Sequence, residues 1–499
     1  MRRLQNPIAT GLAFFALAGA GCSDAPAPAA RNALIVTIDT LRADRVSAFG
    51  ASPVETPHLD RLAAQGAFFA NAFADVPWTT PSMSSVMTGL YANRHGLKSP
   101  ITNRLGLEQV TLAERLRSHG FATGAVIGSF PLDSIYQLDQ GFEFYDDAFT
   151  TPIHIYPNHE FTRVPSVFSD DPDSQRLFVL SKSLNDGRRT DAEVSDVAIR
   201  WLCERGSGRF FLWVHYFGPH AKLDWRIPEA RRELVHLAQY EPDVEVVDRE
   251  VGRLLDTLDE LGLAEQTLVV LHADHGESLG ENGYVGHGLL LNEATLRIPL
   301  ILRLPGRIAP GQRIEAQAEN VDIFPSVLDA LGLPIPQDLS GQSLLPRTRG
   351  APARGLQQDD PDGRVTYIET YFPAHIAFAT LVKLPGGEVG KQGVIRRGVR
   401  TARWKLVRSE PHELIDVGPG EQSTVPGPMR ERLRTETLLD LEAPNGDAHD
   451  VSAQHPEVAR RLRARLDAWI EQEAQASDAP RIELDEETRA RLESLGYVR

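Results

Sequence analysis

The chain has 499 residues, 42% of them apolar, and a formal net charge of −16. That supplies enough apolar material for a large α/β core. The acidic balance excludes general binding to nucleic acid or to an anionic membrane through a basic surface, so any anion site must be made positive locally.

Residues 1–22 read as an export signal. Arg2 and Arg3 supply its positive end, and the apolar stretch from Thr10 to Ala20 is too short to span a bilayer. The ending Leu17-Ala18-Gly19-Ala20-Gly21-Cys22 resembles a bacterial lipoprotein signal, which implies a lipid on Cys22 and contact with a membrane through that anchor only. Ser23 leans toward the outer membrane, and a simple secretory signal would leave the chain in the periplasm. Residues 23–31 are an Ala/Pro tether.

Ala33-Leu34-Ile35-Val36-Thr37-Ile38 reads as a buried strand that ends at Asp39. In Thr79-Thr80-Pro81-Ser82, Thr80 reads as an N-cap and Pro81 as the first residue of a helix to Leu90. Thr79 would then sit where backbone N–H groups and the helix dipole favour an anion. Arg94 and His95 follow that helix in an expected surface loop. The acidic, loop-rich residues 151–190 are expected to form a lid. A helix over 192–204 places Cys203 beside Trp201 and Leu202 as a buried apolar residue. With Cys22 lipidated, the two cysteines cannot form an intramolecular disulfide. Phe210 to Val214 is a further strand. It runs into His215, expected as a structural residue or one standing behind the site's ligands, and reaches His220 after a Gly-Pro turn. A helix over 243–261 leads into the strand Leu268-Val269-Val270-Leu271, which delivers Asp274-His275-Gly276-Glu277.

Strands and helices alternate over 32–334. This implies an α/β fold with a mostly parallel central sheet flanked by helices. Residues 335–364 read as a connector and 365–499 as a small C-terminal α+β subdomain and tail. In that subdomain the helix Pro456 to Glu473 presents Val458, Leu462, Leu466 and Trp469 on one face, and a charged helix is expected over 484–497. In open α/β sheets ligands bind at the carboxyl ends of the strands. Alone, Asp39 could be a turn former and Thr79 a cap. Together, Asp39, Thr79, Asp274 and His275 form a set of three oxygen donors and one nitrogen for a single divalent metal. Zinc and manganese are favoured, and calcium, which prefers all-oxygen cages, stays open.

The order of these motifs resembles a sulfatase-like member of the alkaline phosphatase superfamily. The resemblance rests on residues 32–50 (NALIVTIDTLRADRVSAFG), 56–69 (TPHLDRLAAQGAFF), 79–96 (TTPSMSSVMTGLYANRHG), 274–288 (DHGESLGENGYVGHG) and 321–346. Sulfatases carry a Cys or Ser, matured to formylglycine, in a Cys-x-Pro-Ser-Arg context. Here Thr79 takes the nucleophile position and Met83 that of the Arg. Thr40 replaces the second residue of the family's Asp-Asp pair. Gly128 and Phe130 stand where the Lys and His of its Gly-Lys-Trp-His segment fall. These positions are more similar to threonine-nucleophile enzymes of the same superfamily, such as the phosphoethanolamine transferases that modify lipid A. That likeness implies that Asp39, Thr79, Asp274 and His275 hold the metal, and that His220 and His287 hold the anion or the leaving group. Arg42, in the matching Asp39-Thr40-Leu41-Arg42-Ala43-Asp44 run, is open to an anion-binding or a packing role.

The resemblance implies a metal-dependent hydrolase or transferase of sulfate or phosphate esters, in which Thr79 is a metal-bound nucleophile. The expected partner is a sulfated or phosphorylated small molecule, glycan or lipid. A different class, a catalytically inactive sulfatase-like binding protein of the cell envelope, would fit the altered Met83, Gly128 and Phe130.

Overall fold

The computed structural model describes residues 29–98, 103–149, 189–220, 229–281, 284–350, 363–372, 388–389, 392–413, 423–424, 436–444, 446–473 and 480. The expected export signal with Cys22, residues 151–188 of the expected lid and the helix expected over 484–497 lie outside the described residues. Among the described residues no helix is long and apolar enough to cross a membrane.

Eight strands form the main sheet: β1 (Asn32–Ile38), β2 (Ala67–Phe69), β3 (Ala122–Ile127), β4 (Phe144–Asp146), β5 (Phe210–Tyr216), β6 (Thr267–His272), β7 (Leu300–Arg303) and β8 (Gln312–Ile314). Their order across the sheet is β8-β2-β7-β6-β1-β5-β3-β4. β1 pairs in parallel with both β5 and β6. β7 runs antiparallel to its neighbours β6 and β2, so the sheet is mostly rather than wholly parallel. Every residue of β1, β5 and β6 is buried. Such unbroken apolar runs are what a strand covered by helices on both faces requires. The parallel register brings the carboxyl ends of these three strands together, and Asp39 N–H closes the edge by donating to Tyr216 O at 2.9 Å.

The flanking helices are α1 (Pro57–Gln65), α2 (Thr79–Thr88), α3 (Leu112–Ser118), α4 (Asp191–Arg205), α5 (Glu229–Glu260) and α6 (Ile323–Ala330). α4 starts with a capping box between Thr190 and Glu193. α5 extends well beyond the expected start at 243 and carries Pro242 inside it. Proline at that point reads locally as a helix start, and the helix nevertheless runs through it. Cys203 is exposed, contrary to expectation. Trp201 and Leu202 occupy the buried face of α4, and the next residue, about 100° further round, turns to solvent.

Four antiparallel strands form a second sheet in the order β9 (Thr366–Phe372), β10 (Gln392–Arg400), β11 (Trp404–Glu413) and β12 (Glu436–Asp440). Helix α7 (Pro456–Glu473) covers it. Leu462, Leu466 and Trp469 join Val399, Leu406 and Leu438 in a core of their own, with Val458 packed at its edge. Tyr91 and Val321 of the larger unit enter the same cluster, so the two sheets share an apolar seam.

Candidate active site

Three chain segments reach one point at the carboxyl edge of the main sheet. Asp39 leaves β1, Asp274 and His275 leave β6, and Thr79 opens α2. One ligand atom from each of Asp39, Asp274 and His275 lies within 4.8 Å of the others, and all three residues are fully buried. Thr79 Oγ lies 3.4 Å from Asp39 Oδ2 and 3.3 Å from His275 Nε2. The four ligands expected from sequence are therefore together.

Helix α2 begins two residues earlier than expected. Trp78 is its N-cap and offers no side-chain cap, so Thr80 is not the cap and Pro81 is not the first helical residue. The Thr80 hydroxyl instead donates to Pro131 O at 2.6 Å. Pro81 is still within the first turn, where a missing N–H costs nothing. The shift places Thr79 itself in the first turn. Ser82 Oγ ties the helix to β6 by donating to Asp274 O at 2.7 Å.

The donor set fits a divalent metal. Asp39 Oδ1 and Asp274 Oδ2 are buried and find no hydrogen-bond partner among the described residues. Asp274 Oδ1 accepts from Thr40 N at 3.1 Å and from His275 N at 2.8 Å, which fixes the carboxylate with its other oxygen open. His275 Nδ1 lies 3.0 Å from Gly276 O, the tautomer that leaves Nε2 for a ligand. Burial drives the Asp39 carboxyl well above the usual range, and the nearby Asp274 and Glu277 push it further. The ion-pair partners of these three carboxylates among the described residues are histidines only. A dication answers that concentration of buried negative charge. Thr40 is held at φ 54°, an unusual value for a β-branched residue. Its N–H bond to Asp274 and the Tyr240 hydroxyl on its carbonyl, at 2.7 Å, hold it there.

His220 and His287 face this cluster. The His287 ring centre is 4.5 Å from that of His275 and 5.1 Å from that of His220. His220 stacks on Phe217 at 4.4 Å. Trp78 meets His287 edge-on at 5.4 Å. Gly288 permits this contact: its φ is +87°, and a Cβ there would lie 2.2 Å from the indole.

Sequence reasoning assigned no role to Glu277. It is fully buried, and its Oε1 lies 3.3 Å from His287 Nδ1. It therefore orients His287 with Nε2 toward the site. Its place one residue after Gly276 in the turn that carries Asp274 and His275 was the available signal. His215, expected to be structural or to stand behind a ligand, has Nε2 3.5 Å from Asp39 Oδ2, and burial lowers its pKa to about 4. It stands behind the ligand as a neutral ring. Arg42 resolves to packing: it bonds Asp44 at 2.7 Å, Glu281 at 2.5 Å and the Glu277 carbonyl at 3.0 Å. His95 is not a surface residue. It is 1% exposed and hydrogen-bonded to Ser85 Oγ at 3.0 Å. Met83 and Phe130 are buried, and a Cβ at Gly128 would lie 2.7 Å from His215 O.

The family model described as Sulfatase matches residues 31–333. Rat steryl-sulfatase is 27% identical over 444 residues, covering 71% of this chain and 75% of that protein. A solved structure of a protein in complex with its substrate D-glucosamine-2-N,6-O-disulfate superposes with a TM-score of 0.61 at 17% identity, covering 90% of this chain and 99% of that one. A phosphonate monoester hydrolase from Silicibacter pomeroyi superposes with a TM-score of 0.60 at 21% identity, covering 90% and 96%. The two solved structures speak to the fold. The family match spans more than half of the sequence, and the chain therefore belongs to the sulfatase family, whose members hydrolyse esters.

Proposed function

We propose that this chain cleaves a sulfate or phosphate ester with Thr79 as the nucleophile in place of formylglycine. The observation that carries this reading is the position of Thr79 Oγ, against Asp39 Oδ2 and His275 Nε2 and inside the first turn of α2. A divalent metal, zinc or manganese on this donor set, would lower the pKa of the Thr79 hydroxyl and polarise the ester. Thr79 passes its hydroxyl proton to Asp39 Oδ2, its hydrogen-bond acceptor at 3.4 Å, and its Oγ forms a bond to sulfur or phosphorus as the bond to the leaving oxygen breaks. His287 Nε2, held by Glu277 on the far side of the ring, donates a proton to that leaving oxygen, with His220 beside it. The free N–H groups of the α2 first turn favour the equatorial oxygens. Water then resolves the threonyl ester, and an acceptor alcohol in its place would give transfer.

The substrate class is a sulfated or phosphorylated glycan, lipid or small molecule. The disulfated glucosamine bound by one structural relative supports the glycan arm. The signal at residues 1–22 supports an exported, lipid-anchored chain, tested by membrane fractionation of Cys22→Ala. The deciding experiment measures bound metal and turnover of an aryl sulfate, a phosphate monoester and a phosphodiester by wild type and Thr79→Ala. Turnover retained by Thr79→Ala would remove Thr79 from the mechanism. Metal-free protein inert on all three esters would instead favour the inactive envelope-binding protein.

A further inference from the structure

Arg396 has no part in the reaction just described, yet it is 2% exposed and its Nε and Nη2 find no hydrogen-bond partner among the described residues. Its chain neighbour Arg397 differs: it bonds the Tyr371 hydroxyl at 2.9 Å and approaches Glu369 at 3.8 Å. Consecutive strand residues face opposite sides, and directly paired residues share a side. On β10, Arg396 pairs with Thr370 of β9. Thr370 is docked on the catalytic unit: its hydroxyl donates to Gly288 O and accepts from Trp78 Nε1 at 3.1 Å. Gly288 follows His287, and Trp78 precedes Thr79. The face of β10 that carries Arg396 thus covers the 284–288 loop of the active site. Tyr284, whose hydroxyl donates to His287 O, lies in the field of Arg396 and of Glu277 alike. Burial lowers the Arg396 guanidinium to about 10, with no carboxylate to oppose it. A buried guanidinium with open donors is costly unless an anion meets it.

We propose that Arg396 is a substrate-binding residue, taking an anionic oxygen of the bound ester at the Tyr284–His287 edge so that the C-terminal sheet completes the pocket. The planar fork suits two oxygens of one sulfate, phosphate or carboxylate. The oxygen belongs either to the reacting ester or to a second anionic group on the substrate. This inference rests on the ester-cleaving reading above.

The test uses the full chain loaded with zinc or manganese, with Arg396→Met and Arg396→Lys. KM and kcat are measured on a singly anionic aryl ester and on a bis-sulfated sugar, alongside thermal stability. Arg396→Met is expected to raise KM about ten- to a hundredfold, with Arg396→Lys recovering part of it. The melting temperature of Arg396→Met should equal or exceed that of wild type, because an uncompensated buried charge is gone. A KM effect on both substrates assigns the reacting group's own oxygens, and one confined to the bis-sulfated sugar assigns the second anion. An unchanged KM on both, with or without a lower melting temperature, overturns the proposal. Should Arg396→Met not fold, Arg396→Lys carries the same comparison. If wild type turns over neither ester, the ester-cleaving reading fails first. Arg396 is then judged by thermal shifts with inorganic sulfate and phosphate. A shift present in wild type and lost in Arg396→Met keeps the anion site, and no shift in wild type overturns it.

Discussion

Two groups of buried carboxylates differ in one respect. At the seam between the sheets, Glu319 and Asp322 are fully buried and bonded to Arg364 at 2.7 and 2.8 Å, with the Tyr91 hydroxyl also on Glu319. Glu293 in the same seam meets Arg400 at 2.8 Å and Lys405 at 3.2 Å. At the active site, Asp39, Asp274 and Glu277 are equally buried, yet each keeps an oxygen without a hydrogen-bond partner among the described residues. Burial of charge therefore does not distinguish function from architecture here. Between these two groups open coordination does, because an open buried carboxylate oxygen is free to meet a cation.

The comparison breaks or sharpens at the following points. Thr79→Ala should lower kcat by at least about 10³-fold while leaving the fold and melting temperature near wild type, and steady-state kinetics with a thermal melt reads both. Arg364→Leu should do the reverse. It strands Glu319 and Asp322, costing about 3–5 kcal/mol of stability in a denaturant titration, with bound metal and KM unchanged in the folded fraction. A loss of metal in that variant would mean the two clusters are not independent. Zinc or manganese added to metal-free protein at a hundredfold excess over Kd should stabilise it by about 2.7 kcal/mol. Asp274→Asn should abolish that gain, and a gain that survives would place the metal elsewhere.

The smallest expected effect is in pH. Burial pushes Glu293 up, but Arg400 and Lys405 overcome it and hold the carboxyl at about 2. A depressed folded-state pKa contributes stability above the ordinary carboxylate range and loses it as pH falls toward about 2. Acid denaturation of wild type should therefore steepen below the ordinary range. Glu293→Gln should flatten that limb, and an identical limb in both would refute the seam's role.

Much of this was legible locally. Asp39 and the Asp274-His275 pair follow unbroken apolar runs, so a parallel sheet places them at one edge by register alone. Thr79 was legible as a group near a helix start, but the start itself was misplaced by two residues. Thr80 looks like a cap in isolation, and only the Pro131 carbonyl, 51 residues further along, draws its hydroxyl away. Cys203 and His95 were misjudged for the same reason: burial depends on which neighbour covers a face, and neighbours are distant in sequence.

The sequence by itself determined the sheet, the donor side chains and the edge where they meet, because strand period is a short-range property of the chain. Only the tertiary structure decided how charge is distributed there. It set Glu277 behind His287, His215 behind Asp39 and Arg396 over the loop from a separate sheet. Those relations span from 10 to about 180 residues of chain, and they arise from packing between elements, which no local pattern encodes.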